Sequence, residues 1–308
     1  MTVELQQGSN RKHQLTLIAT IVFGLALVVV LSKSIDARRP PVDLAVEEER
    51  LYVNGNTAKR LSLSFNGLIA DWYWMRSLQY VGRKVLILPP GAMLDSLGKT
   101  NLKLLPALLD TATSLDPEFI EPYEYAAIVL PGSDVDAAIR LTKKGIAANP
   151  SSWRLYHHLG YIYWQQGDLG SAAETYDKGG QIPGAPAWMT AMKAKMIADG
   201  GGRATAREIY SRMYEGSTDE KVKDMAQRRL LQLDAFDQID TLEKVLEAVK
   251  TRLGRCPLNW KEVEPIFRAA RVRVDRSGAP LDPSGTPYVF GQTNCDVQIS
   301  YESVIPVK

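Results

Sequence analysis

The stretch WRLYHHLGYIYWQQGDLGSAAETYDKGGQIP, Trp153 to Pro183, decides the fold that we predict for this chain of 308 residues. In a first helix, Leu159, Gly160 and Tyr163 lie at i, i+1 and i+4 and share one face. Gly160 leaves room for a neighbouring helix to approach, while its two partners fill the space beside it. Gly167 supplies the left-handed residue that ends this helix.

A second helix follows in the same stretch. Ala172 is the small residue at the point where this helix crosses the first, and Tyr176 lies four residues later on the same stripe. Pro183 stops the helix because proline cannot continue the backbone hydrogen-bond ladder. The stretch therefore predicts a hairpin of two helices.

This hairpin recurs along the chain. Four series of residues repeat at intervals of 33 or 34 positions: Pro117, Pro150 and Pro183; Ala138, Ala172 and Ala206; Gly167 and Gly201; Tyr176 and Tyr210. A period of 34 with small and aromatic residues at fixed offsets is typical of a helix–turn–helix solenoid. Phe65–Gly82 with Leu102–Leu115 forms a degenerate earlier hairpin, and Lys221–Leu233 and Thr241–Leu253 are predicted as two terminal helices that cover the last open face.

These residues resemble the tetratricopeptide repeat family. The family's pattern of Leu-Gly, Tyr, Gly, Ala, aromatic and Pro is matched by Leu159, Gly160, Tyr163, Gly167, Ala172, Tyr176 and Pro183. The family's initial Trp falls at Tyr156 and its later Ala at Gly179, so the match departs from the pattern at those two positions. The resemblance implies a helical superhelix whose concave groove binds peptides or proteins, and it implies no catalysis.

The same resemblance implies which residues line the groove. By offset they are Tyr123, Arg154, His157, Tyr161, Trp164 and Lys195. A second interpretation stays open, in which Tyr161 and Trp164 pack against the adjoining repeat.

Three consecutive aromatic residues, Trp72, Tyr73 and Trp74, lie in the first predicted helix of the repeat region. Consecutive helical residues point about 100° apart, so the three cannot face one core. At least one is therefore expected to contact the membrane surface, another repeat or a partner, which makes this segment a candidate interaction surface.

Residues Leu15 to Ser32, LTLIATIVFGLALVVVLS, contain no charge. Eighteen helical residues span about 27 Å, close to the hydrocarbon thickness of a bilayer. We favour an uncleaved membrane anchor over a cleaved signal peptide, because Ser32 and Ser34 match a cleavage site poorly.

The basic residues on the two sides of this segment are nearly balanced in number. The short basic N-terminal tail favours a C-terminal part on the extracytoplasmic, periplasmic side, and the later arginines argue weakly against it.

The last part of the chain, residues 254–308, is predicted to be a small α/β module. Arg271–Val274, Pro287–Phe290 and Cys295–Ser300 are short strand candidates. The run LDPSGTPY resembles the C-terminal turn of type II secretion pseudopilins, without the N-terminus of those proteins. Cys256 and Cys295 both lie in this module, and we predict a disulfide between them if it faces an oxidising space.

Composition narrows the function. The chain has 37 Lys and Arg against 35 Asp and Glu, three His and two Cys, so nucleic-acid binding and His-based metal or triad chemistry are not predicted. SLGKT at Ser96–Thr100 resembles the end of a phosphate-binding loop, but Met93 stands where that loop needs its first glycine. We predict no catalytic residue, metal, cofactor or small-molecule substrate.

The predicted organisation is therefore mainly α, with a membrane anchor, a tetratricopeptide-like superhelix and a small α/β module. The segments are a tail at 1–14, an anchor at 15–32, a linker at 33–64, the repeat domain at 65–253 and the module at 254–308. The predicted function is a membrane-tethered scaffold or assembly factor that binds a partner protein, in a cell-envelope complex such as a pilus or secretion system. The alternatives are a permanent structural subunit of a membrane complex and, less favoured, an enzyme that uses its repeats to present a substrate.

Overall fold

A computed structural model describes residues 3–38, 54–86, 102–292 and 294–306. The chain divides into two compact units, Met1–Tyr52 and Val53–Lys308. The described residues are mainly helical, with one small two-stranded sheet. The SLGKT motif and residues 39–53 of the predicted linker lie outside the described residues.

The first unit contains helix α1, Val3–Arg38. Its segment Leu17–Ile35 is long and apolar enough to cross a membrane, and its large apolar side chains are exposed. Among the described residues it is the one helix with this property. The helix extends beyond the predicted 15–32 span at both ends, and no proline occurs in the chain before Pro40 to interrupt it.

The second unit is a succession of helices that pack mainly on their neighbours in the chain. They are α2 Gly55–Leu61, α3 Asn66–Leu86, α4 Leu105–Leu115, α5 Ile120–Val129, α6 Val135–Ala148, α7 Trp153–Gln165, α8 Leu169–Gly180, α9 Trp188–Asp199, α10 Arg203–Gly216 and α11 Glu220–Leu253. Short connections between strongly contacting helices make consecutive helices antiparallel neighbours. In addition, α5 packs on α7, so the first helices of successive hairpins lie side by side.

The hairpin predicted from Trp153 to Pro183 is confirmed as α7 and α8. Gly167 has a φ of +75°, the left-handed conformation that glycine adopts without strain. Asp168 caps α8 by accepting a hydrogen bond from the backbone N–H of Ser171 at 3.0 Å. Gly160 lets the Tyr176 ring approach, since a Cβ at this glycine would lie 2.9 Å from the ring.

The region predicted as two terminal helices is instead one continuous helix, α11, of 34 residues. No glycine or proline interrupts it between Leu233 and Thr241. Three acids at a spacing of three, Asp234, Asp237 and Asp240, form ion pairs with Arg203 and Arg207 of α10. These ion pairs hold the segment in which a break was predicted against α10. The helix ends only at Gly254, which has a φ of +70°.

The C-terminal region packs on the second half of α11. Trp260, Phe267, Tyr288 and Val297 share one hydrophobic core with α11 residues such as Leu246. A 3₁₀ turn at Trp260–Glu262 and helix α12, Glu264–Ala269, precede strands β1, Val289–Gly291, and β2, Asp296–Gln298. The strands are antiparallel, with Val289 opposite Gln298. The first strand candidate, Arg271–Val274, contributes one isolated bridge from Val274 to Pro280.

The structure joins Cys256 and Cys295 in a disulfide, with their Cα atoms 5.8 Å apart. In the LDPSGTPY turn, Asp282 is buried. Its carboxylate accepts hydrogen bonds from the backbone N–H groups of Ser284 and Thr286 and from the hydroxyl of Ser303. This carboxylate therefore organises the turn.

Candidate functional site

Side chains from α7 and α9 form one aromatic and basic surface. His157, Tyr161 and Trp164 are spaced by four and three residues and so share a face of α7. Trp188 and Lys195 are seven apart and share a face of α9. The members of this aromatic face, as we define it, are Arg154, His157, Tyr161, Trp164, Trp188 and Lys195.

Two contacts join the helices within the aromatic face. The rings of His157 and Trp188 meet edge to face, with centroids 4.8 Å apart. Trp164 and Lys195 lie seven residues after His157 and Trp188, respectively. The Lys195 ammonium is 5.7 Å from the Trp164 ring centroid, within cation–π range. The α7–α8 hairpin and the α9–α10 hairpin therefore contribute to a single surface.

Tyr161 and Trp164 hold each other in place on this surface. Their ring centroids are 5.5 Å apart, and the Tyr161 hydroxyl accepts a 3.0 Å hydrogen bond from Gln165. Tyr161 is 41% exposed, whereas Trp164 is half-buried against the neighbouring helix. Trp164 thus makes the inter-repeat contact that the second interpretation required, and Tyr161 stays open to solvent.

Charge on the aromatic face comes from Arg154 and Lys195. The exposed Arg154 guanidinium lies 4.9 Å from the Trp153 ring centroid. On α5, burial raises the pKa of Glu124, and the nearby Arg154 charge partly offsets that rise. Lys195 forms an ion pair with Asp199 at 2.7 Å. Glu124 extends the face toward α5 and was not among the residues predicted for the groove.

Tyr123, which was predicted to line the groove, is fully buried, and that prediction is wrong. Its ring packs on Gly145, where a Cβ would lie 2.7 Å from the ring. Tyr156 packs on Gly179 in the same way. The two glycines are 34 residues apart, but the two tyrosines are only 33 apart, so equivalent positions of α5 and α7 differ by 33. An offset of 34 from His157 therefore selects Tyr123, which lies one residue before the true equivalent and about 100° around the helix from it.

Two buried polar atoms under the aromatic face lack a hydrogen-bond partner within the described part of the chain. They are the hydroxyl of Tyr176 and Nδ1 of His157, whose ring centroids are 6.1 Å apart. Tyr210, one period later, donates from its hydroxyl to the carbonyl of Ala191 at 3.1 Å. The equivalent acceptor for Tyr176 is the carbonyl of His157, and that bond is not formed. The sequence indicated only a packing role for Tyr176.

Burial favours the neutral form of both histidines of α7. Burial lowers the pKa of His157, and burial with the neighbouring His157 charge lowers the pKa of His158 to about 4. A neutral imidazole has one donor and one acceptor nitrogen. Within the described residues no group of His, Cys, Asp and Glu is arranged to hold a metal ion.

The aromatic triplet of α3 separates as its helical spacing requires. Tyr73 is buried, and Trp74 packs edge to face on Phe119 and Tyr125, at centroid distances of 6.1 and 5.2 Å. Trp72 points outward and is 58% exposed. Trp74 therefore makes the contact beyond its own hairpin, and Trp72 remains an open surface residue.

Comparison with known proteins adds no relative. No protein-family profile matches the chain, and no curated protein is significantly similar to it.

Proposed function

We propose that this chain is a membrane-tethered scaffold that binds a segment of a partner protein on its aromatic face. The observation that carries this proposal is the pair of unpartnered polar atoms, on Tyr176 and His157, beneath a surface of aromatic rings and two cations. Buried polar groups in proteins are almost always hydrogen-bonded, so unpartnered ones call for an explanation. Because both atoms are buried in the free chain, a partner segment would reach them by displacing the rings that cover them, and it would then provide the missing hydrogen-bond partners.

The chemistry of these groups favours an amide as the bound group. The Tyr176 hydroxyl can donate to a carbonyl, and the neutral His157 ring offers an acceptor or a donor according to its tautomer. A peptide bond presents both a carbonyl and an N–H group. Trp188 and Tyr161 supply flat apolar surface beside these groups, and Arg154 and Lys195 favour a partner segment that carries acidic side chains.

Family and location are part of the proposal. Successive helical hairpins with a 33- to 34-residue repeat support membership of the tetratricopeptide repeat family. The apolar segment of α1 supports a single-pass membrane anchor. The disulfide between Cys256 and Cys295 supports an extracytoplasmic location, such as the bacterial periplasm, because structural disulfides persist in oxidising compartments.

Replacing Tyr161 and Trp164 together with alanine tests the proposed binding surface. We expect the partner that co-purifies with the full chain from its native membrane to be reduced at least tenfold, because aromatic side chains dominate binding energy at interfaces. The measurement is quantitative mass spectrometry of the affinity-purified complex, with circular dichroism to show that the helices are intact.

Tyr214→Ala is the matched control for this experiment, since Tyr214 is also 41% exposed but lies on α10. It should leave the partner in place. Undiminished co-purification with the double variant would contradict the binding surface. A partner that survives high salt at full stoichiometry would favour the alternative of a permanent structural subunit.

Tyr176→Phe separates binding from stability. It removes a hydroxyl that has no partner, so the free energy of unfolding should stay within about 0.5 kcal/mol of the wild-type value, while partner binding should weaken about fivefold. Tyr210→Phe removes a buried hydrogen bond to Ala191 and should cost about 1 kcal/mol without weakening binding. Thermal unfolding in detergent and the co-purification assay measure the two effects. Equal destabilisation by both changes would mean that the Tyr176 hydroxyl serves the fold.

A further inference from the structure

A second surface, at the start of the unit Val53–Lys308, is apolar and uncovered. It surrounds the turn between α2 and α3 and the first half of α3. Its six side chains, which we call the apolar patch, are each at least 53% exposed: Leu61, Leu63, Phe65, Leu68, Trp72 and Met75. Leu68, Trp72 and Met75 are spaced by four and three residues, so they form one stripe along α3. Monomeric soluble proteins rarely expose apolar side chains in such a group unless the patch has a binding role.

The turn in the patch holds its apolar side chains outward. Leu63 and Ser64 have φ values of 48° and 77°, a conformation that side chains other than glycine rarely adopt. Hydrogen bonds define the turn: the Ser62 N–H donates to Ala58 at 2.9 Å, and the Phe65 N–H donates to Ser62 at 2.8 Å. The result is that Leu63 is 80% exposed. Strained backbone of this kind concentrates at functional positions.

We infer that the apolar patch inserts into the interfacial layer of the lipid bilayer that α1 crosses, an inference that rests on the proposed membrane anchor. Its composition matches that environment, since Trp, Phe and Leu beside Lys and Arg are typical of segments that lie in a membrane interface. The exposed Lys59 and Arg60 in the last turn of α2 adjoin the patch and can meet lipid phosphates. Asp71 is the exposed acid beside it on α3.

The covalent connection to α1 favours lipid over a separate protein as the occupant. Fifteen residues separate Arg38, the last residue of α1, from Asn54, the N-cap residue of α2. A fully extended chain of this length reaches at most about 55 Å. The bilayer is therefore always within reach of the patch, at a high effective concentration that no dissociable partner has.

Fluorescence quenching by brominated lipid tests the inference with the full chain. None of the six tryptophans lies in α1, so quenching by bromine in the bilayer reports contact by the second unit. The chain is reconstituted in vesicles of phosphatidylcholine and phosphatidylglycerol, with and without lipid brominated near the headgroup. We expect brominated lipid to lower the emission by roughly one tryptophan's share of the total. Trp72→Phe should abolish this difference.

Trp74→Phe is the control, because Trp74 lies two residues away and packs on Phe119 and Tyr125; it should retain the quenching. Leu63→Asn provides a variant that should fold, since asparagine accepts a positive φ, and it should reduce the quenching.

Resistance of the chain to alkaline extraction from the membrane tests the α1 anchor separately from the patch. An anchored chain with no quenching, or with quenching that Trp72→Phe does not change, would overturn the inference while leaving the anchor intact. A change in oligomeric state with Trp72→Phe and no quenching would assign the patch to a second copy instead.

Discussion

Replacement of Cys256 and Cys295 with serine is expected to lower the free energy of unfolding by about 4 kcal/mol. The disulfide closes a loop with a sequence separation of 39 residues, and the chain-entropy relation assigns a loop of that length roughly this effect. The loss should appear as a fall in the thermal unfolding temperature of the purified chain and as faster proteolysis of the region after Gly254.

The position of the disulfide explains why the effect should reach beyond the C-terminal region. Trp260, Phe267 and Tyr288 share their core with Leu242 and Leu246 of α11. Loosening the C-terminal region therefore exposes the buried side of that helix. The single change Cys256→Ser serves as a comparison and should cost as much as the double change. Mass mapping of non-reduced peptides from the native protein provides the decisive check, because two free thiols would contradict the bridge and remove a main support for the proposed periplasmic location.

Gly145→Val is expected to lower the free energy of unfolding by about 3 kcal/mol, the upper part of the range for overpacked cores. A Cβ at this position would lie 2.7 Å from Cγ and 3.0 Å from Cβ of Tyr123. Those atoms are close to the backbone of α5, so they cannot move aside without shifting the helix. Urea unfolding followed by circular dichroism measures the change.

Gly82→Ala is the control with the opposite sign. Gly82 lies inside α3, and a Cβ there has no neighbour within 4 Å. Alanine should raise the stability by about 0.5–1 kcal/mol, because glycine is the poorer helix former. If Gly145→Val were as harmless as this control, the close approach of Tyr123 would not be part of the folded state.

The local features of the repeat region could be predicted from the sequence. The hairpin at Trp153–Pro183 depends on contacts between residues three or four apart and on Gly167, whose positive φ ends α7. The apolar segment of α1 could be recognised in the same way, because eighteen uncharged residues are a property of the sequence itself. None of these features needs a distant residue to exist.

Other features depended on how the helices meet. The exposure of Tyr123 was predicted wrongly, since its burial follows from the approach of Gly145 on the next helix. No glycine or proline interrupts α11 past Leu233, but its contacts there are ion pairs with Arg203 and Arg207, which are about 30 residues away in the chain. Sequence spacing carried no signal for either contact.

The candidate binding surface shows the same division. The sequence by itself determined that His157, Tyr161 and Trp164 share a face of one helix, because helical periodicity depends only on residue spacing. The tertiary structure decided that Trp188 joins that face, that the Tyr176 hydroxyl lies beneath it without a partner, and that Leu63 and Trp72 remain uncovered. The physical reason is that burial and hydrogen bonding are properties of pairs of atoms brought together by packing, and the order of residues along one helix does not specify which neighbours the packing supplies.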